Sequence, residues 1–142
     1  MHRLVSAIFA VGFSANGLFM LFGPRLWYDT IPNVHGTGPF NGHFVRDIGC
    51  AYLVAGLAAG WLALQRSRAW PAALAGGAFL SLHALVHVTD AIGGRESLGQ
   101  LFEELPTVIG PAATMLALAR PSRPPAPLTE SALDAATETL AP

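Results

Sequence analysis

The chain has 142 residues and a formal net charge of -1, with 52% hydrophobic and only 12% charged residues. A soluble domain carries about 25% charged residues, so this chain cannot clothe an ordinary water-facing surface. A balance so close to neutral also gives no footing for a nucleic-acid partner.

Mean hydropathy is +0.46, and the apolar residues gather into blocks at about Leu4 to Phe22, Phe44 to Leu64, Trp70 to Ile92 and Leu101 to Ala119. Each is close to the roughly 20 residues that cross a bilayer as a helix. The blocks lack the polar stripe of a surface helix, so they predict an all-α integral membrane four-helix bundle rather than a soluble one. A secretory signal is the rival reading of the first block. It is disfavoured, because the run is long, holds Asn16 and lacks a small-x-small cleavage site before Gly23-Pro24.

Between the first two blocks, GPRLWYDTIPNVHGTGPFNG carries enough proline and glycine to preclude a continuous helix. Trp27 and Tyr28 suit the headgroup level, so the segment reads either as an ordered cap over the bundle mouth or as a linker anchored by its aromatics. Gly49, Gly56 and Gly60 lie near one face of the second block, and Gly76 and Gly77 serve similarly in the third, which predicts close helix approach. A short turn at Gln65 to Ala69 precedes Trp70-Pro71. Gly93-Gly94 opens an outer segment in which SLGQLFEEL forms a short interfacial helix, and Pro106 and Pro111 are positioned to kink the last span. After residues 1–119 the chain becomes proline-rich, and 120–142 is expected to be a mostly disordered cytoplasmic tail.

Every basic residue is arginine or histidine. With the N-terminus inside, Arg3, Arg66, Arg68, Arg120 and Arg123 are cytoplasmic, and Arg25, Arg46 and Arg95 lie outside. The expected placement is a multi-pass N-in, C-in protein of the inner, cytoplasmic membrane.

Ionisable groups in spans are candidate functional groups. His43 and Asp47 are four apart in the second block; His83 and His87 are four apart in the third, and Asp90 follows three later. Such spacings share a helix face. At 1.5 Å per residue, Asp47 falls roughly 5 Å below the outer end of its helix and His83 roughly 13 Å below the outer end of its own. The two sets therefore predict a centre for a divalent transition metal such as zinc, iron or copper, built across facing helices. His43, His83 and His87 are the expected ligands, and Asp47 and Asp90 ligate or orient them. Asn41, Arg46, Glu103, Glu104 and Asn16 are the surrounding candidates that steady the ligands or hold substrate.

A haem on His43 and His83 or His87 ranks lower, because the mouth would have to admit a macrocycle. The competing structural reading closes the same groups into a neutral network, with Arg46 paired to Asp90 or Asp47. His35 reads as a loop histidine and His2 as cytoplasmic. Cys50 reads as a packing residue, and no phosphate loop, CxxC pair or HExxH motif occurs.

The second block opens with Asn41, His43, Arg46, Asp47, Gly49 and Tyr52 in the pattern N-x-H-x-x-R-D-x-G-x-x-Y. This pattern, with four short spans and an outer loop after the first, resembles DoxX-like and related small membrane proteins. The resemblance implies a redox role or a redox partner. The expected function is thus a metal-binding membrane oxidoreductase or a small subunit of one, set in the lipid bilayer with other subunits or as a homo-oligomer. A non-catalytic packing subunit is the alternative, and a proton-coupled carrier comes third.

Overall fold

Alanine and glycine face inward and leucine faces outward across most of this chain, the reverse of a water-soluble bundle. The computed structural model describes residues 1–121, and every regular element among them is helical. The helices are α1 (His2–Phe22), α2 (Pro24–Thr30), α3 (Gly42–Leu64), α4 (Arg66–Ile92), α5 (Leu98–Glu104) and α6 (Gly110–Leu118). A π-helical turn, Leu105–Ile109, joins α5 to α6, so Leu98–Leu118 runs as one rod. It and α1, α3 and α4 are four helices long and apolar enough to cross a membrane. Most of the tail predicted over 120–142 lies outside the described residues.

In packing order α1 lies on α3, α3 on α4, and α4 on α6, with a thinner contact closing α6 onto α1. Ala55, Ala58, Ala59, Ala69, Ala73, Ala84 and Ala112 are buried, whereas Leu4, Ile8, Val11, Val54, Leu57, Leu64 and Leu82 are exposed. Small side chains let the backbones approach closely, and the helices are then in dispersion contact along these faces. The tightest seam joins α1 to α3. A β-carbon at Gly49 would stand 2.8 Å from the Met20 Cβ and 3.0 Å from the Gly17 carbonyl oxygen, and one at Gly17 would stand 2.7 Å from the Gly49 carbonyl oxygen. One at Gly56 would collide with the Ser14 side chain. Across α4 and α6, a β-carbon on Gly77 would come within 3.1 Å of the Leu116 side chain.

Local chemistry sets the helix ends. Asn41 accepts from the amides of His43 and Phe44 at 3.1 Å and so starts α3. Ser97 and Gln100 form a reciprocal capping box that starts α5. The predicted interfacial helix is therefore the first part of the fourth rod itself. Pro106 sits inside the π-helical turn and Pro111 in the first turn of α6, so the anticipated disruption is absorbed by widening the helix. Pro71 lies within α4 near its start, where the lost hydrogen bond falls on the carbonyl of exposed Ser67.

Of the two readings of the segment between α1 and α3, the ordered cap is the one observed. Trp27 Nε1 donates to Asn16 Oδ1 at 2.8 Å, and the Tyr28 hydroxyl donates to the Gly38 carbonyl at 2.7 Å. The Tyr28 ring packs against His35 and Phe40, and Arg25 lies over the same Phe40. Arg25 also donates to Asp29 at 2.8 Å, and this hydrogen bond holds the Asp29 carboxyl below the usual carboxylate range. Its small contribution is present above the ordinary carboxylate pKa and lost as pH falls through the depressed one. Asn33 Nδ2 reaches Glu103 at 3.3 Å and ties the cap to α5.

Trp27→Phe keeps the ring but removes the donor to Asn16, and should weaken the cap by about 1 kcal/mol. The expected readout is faster amide exchange over Pro24–Thr30 with the long helices unchanged. Unaltered exchange there would show that Asn16 does not anchor the cap.

Candidate metal centre

α4 carries His83 and His87 one turn apart, so both rings lie on the same side of the helix, edge to face, with centroids 4.9 Å apart. His83 stacks on Phe79 and meets Tyr52 of α3 edge-on, which fixes the lower ring of the pair. His87 stands one turn nearer the end of the helix.

Beyond Ile92 the chain reverses sharply. Gly94 adopts φ +71, a left-handed conformation that glycine supplies without steric cost. The amides of Arg95 and Glu96 fold back onto the Asp90 carbonyl at 2.9 and 3.3 Å, and Arg95 Nε donates to the Asp90 carboxylate at 2.7 Å. Ser97 then begins α5. Glu96 is thereby held between a turn and a helix cap, with its side chain directed at His87.

The result is a three-residue group. His87 Nδ1 lies 2.8 Å from Glu104 Oε2 and 3.6 Å from Glu96 Oε1. The side chains of His87, Glu96 and Glu104 are only 14%, 8% and 12% exposed. The short contact is one of distance alone. His87 Nδ1, Glu104 Oε2 and Glu96 Oε2 are buried polar atoms without an aligned hydrogen-bond partner. One donor atom from each residue lies within 4.8 Å of the others, and the group could hold a metal ion. Ligands bonded tetrahedrally at about 2.0 to 2.1 Å lie roughly 3.3 Å apart, so the observed spacings need only small side-chain shifts.

Charge points the same way. Two carboxylates are closed in here beside one imidazole, and buried charges left unpaired are costly. A dication balances them and takes up the unpartnered atoms together.

The structure brings only part of the predicted constellation here. His87 and Glu104 meet, and His83 stands one ring away. Asp90 instead pairs with Arg95, so it shapes the turn that presents Glu96. His43 and Asp47 face each other at 3.3 Å on the exposed side of α3, 87% and 60% exposed, and do not join His87. A helix has several faces, and theirs points away from α4 because Val45 and Gly49 take the inward positions. Arg46 is exposed too and has no ion pair among the described residues. Asn41 caps α3, Asn16 anchors the cap, and Glu103 binds Asn33. His35 lies 3.4 Å from Asp29 in the cap.

Half of the motif residues at the head of α3 thus have architectural duties: capping at Asn41, close approach at Gly49 and aromatic packing at Tyr52. Glu96 is the member that sequence reasoning missed. Its signal was an acid two residues beyond a Gly-Gly reversal, a position that points back along the helix only once the turn is closed. No protein-family model matches this chain, and no curated protein or solved structure does either.

Proposed function

We propose that this chain is a multi-pass membrane protein that binds one divalent transition-metal ion through His87, Glu96 and Glu104 near the outer end of the bundle. The observation that carries the reading is the convergence of an imidazole and two carboxylates whose buried atoms lack hydrogen-bond partners. Nitrogen and carboxylate oxygen suit zinc, iron or copper, and three protein ligands leave a coordination position for water or substrate. There the ion would act as a Lewis acid or a redox centre. An oxidoreductase role, or service to one, accords with the resemblance to DoxX-like proteins at the head of α3.

A specific contact supports a second reading. With His87 protonated, its approach to Glu104 at 2.8 Å becomes an ion pair, and the group is then a packing network in a non-catalytic subunit.

Elemental analysis separates the two. Wild type purified without chelator should retain close to one equivalent of metal. His87→Ala and Glu104→Gln should lose most of it, whereas His43→Ala and Asp47→Asn should retain it. Negligible metal in folded wild type supports the packing network, and loss in the His43 variant would return the site to α3.

Insertion with the N-terminus and the end of the fourth span both inside is supported by the exposed leucines and by the distribution of charge. The acids of the described residues all lie toward one end, while Arg3, Arg66, Arg68 and Arg120 lie toward the other. Cysteine labelling at Thr37 and Ser67 in a Cys50→Ala background tests it, since both positions are exposed and Cys50 would otherwise react. In intact cells the impermeant reagent should modify Thr37→Cys and spare Ser67→Cys. The opposite pattern would invert the topology, and labelling of both would defeat it.

A further inference from the structure

At the end of the bundle opposite the metal centre, the charged groups of the described residues are all of one sign. Arg3 begins α1, Arg66 and Arg68 begin α4, and Arg120 follows α6. The antiparallel packing of α1 on α3 brings the start of α1 beside the start of α4, and His2 lies within the electrostatic reach of Arg66 and Arg3. At the other end two of the three arginines are paired, Arg25 with Asp29 and Arg95 with Asp90, and Arg46 alone has no ion pair among the described residues. Here, among the described residues, no arginine has a carboxylate partner.

Arg66 is the most constrained of the set. Its Nε is buried and has no hydrogen-bond partner among the described residues. With Nε closed off, the accessible edge is the pair of terminal nitrogens, which are not among the buried atoms and have no partner among the described residues, and a guanidinium presents them in a planar fork suited to a phosphate. The amides in the first turn of α4 add to this field, since Gln65 provides no side-chain cap. Next to the cationic end lie exposed Leu4, Ile8 and Leu64, an apolar flank that free phosphate would leave unused.

We propose that this end of the bundle binds an anionic phospholipid, with the lipid phosphate on Arg66, further charge from Arg3 and Arg68, and the acyl chains along Leu4 and Leu64. Basic pockets between helices on the cytoplasmic side are a physically favoured place for such headgroups. The inference rests on the membrane reading of the four spans and not on the metal. Cysteine labelling tests that reading separately, so failure of lipid binding in a correctly labelled protein counts against this inference alone.

The test uses the full chain in neutral detergent and native mass spectrometry, with dioleoyl phosphatidylglycerol, dioleoyl phosphatidylcholine and inorganic phosphate as probes. Wild type should retain one phosphatidylglycerol at least about tenfold more tightly than phosphatidylcholine. Inorganic phosphate should displace it only at far higher concentration. Arg66→Gln should weaken phosphatidylglycerol about five- to tenfold, the scale expected for one cation at an anionic lipid. Arg66→Lys keeps the charge and should lose less, which separates binding from folding should the glutamine variant prove unstable.

Equal retention of the two lipids, or unchanged binding in folded Arg66→Gln, would overturn the proposal. Free phosphate competing as well as the lipid would replace it with a small-anion site. Replacing Glu130, Asp134 and Glu138 together by glutamine tests the chain's own carboxylates as the counter-ion. A gain in phosphatidylglycerol affinity of more than tenfold would assign Arg66 to them instead.

Discussion

Gly49→Leu is expected to separate α1 from α3 and to abolish the folded bundle in mild detergent. The position leaves no room for a side chain. Its missing β-carbon would already stand 2.8 Å from Met20 and 3.0 Å from the Gly17 backbone, and backbone cannot rotate aside as a flexible side chain can. Overpacking usually costs about 1 to 3 kcal/mol, and a clash borne by two helix backbones falls at or beyond the upper end. The loss is read as a lower melting temperature by circular dichroism and as aggregation on size exclusion.

Gly12→Leu is the matched control. Nothing lies within 4 Å of a β-carbon there, and leucine is the better helix former by somewhat under 1 kcal/mol. It should be neutral or slightly stabilising. A Gly49→Leu protein that melts with wild type would show that the α1–α3 seam is not the close contact on which this architecture depends.

The second large effect concerns the metal centre, where single and combined substitutions should differ in sign. In metal-free protein, His87→Ala leaves the Glu96 and Glu104 carboxylates facing each other across a site in which each is about nine-tenths buried. Removing one partner of a buried charged set typically costs about 3 to 5 kcal/mol, unless a proton is taken up instead. Melting should therefore fall at neutral pH and partly recover in acid. A triple variant, His87→Phe with Glu96→Gln and Glu104→Gln, removes the charges together and should melt near or above metal-free wild type.

Metal distinguishes the two proteins again. At 100 times its dissociation constant, a ligand that binds only the folded state adds about 2.7 kcal/mol of stability, so wild type should gain several degrees with zinc and the triple variant none. A wild type indifferent to zinc, iron and copper would remove the metal reading while leaving the packing network intact.

The linear order of residues determined the number, length and apolar character of the long helices, because a run of about 20 apolar residues needs no tertiary information to be recognised. It also determined their spacing by glycine, and the one-turn pairing of His83 with His87, since helical periodicity places such residues on one face. What it did not determine was which face of each helix turns inward. His43 and Asp47 have the same spacing as His83 and His87, yet Gly49 and Val45 claim the seam of α3 and rotate the first pair outward. Periodicity offers Asp90 as a ligand or an orienter of one, but Arg95, its partner in the structure, lies within reach only after the chain reverses at Gly94. The same reversal brings Glu96 over His87, and the continuous course of α5 through its π-helical turn sets Glu104 opposite. Local periodicity decides what a helix offers along its length; the choice of partner depends on packing between backbones distant in sequence, and small residues make that choice here.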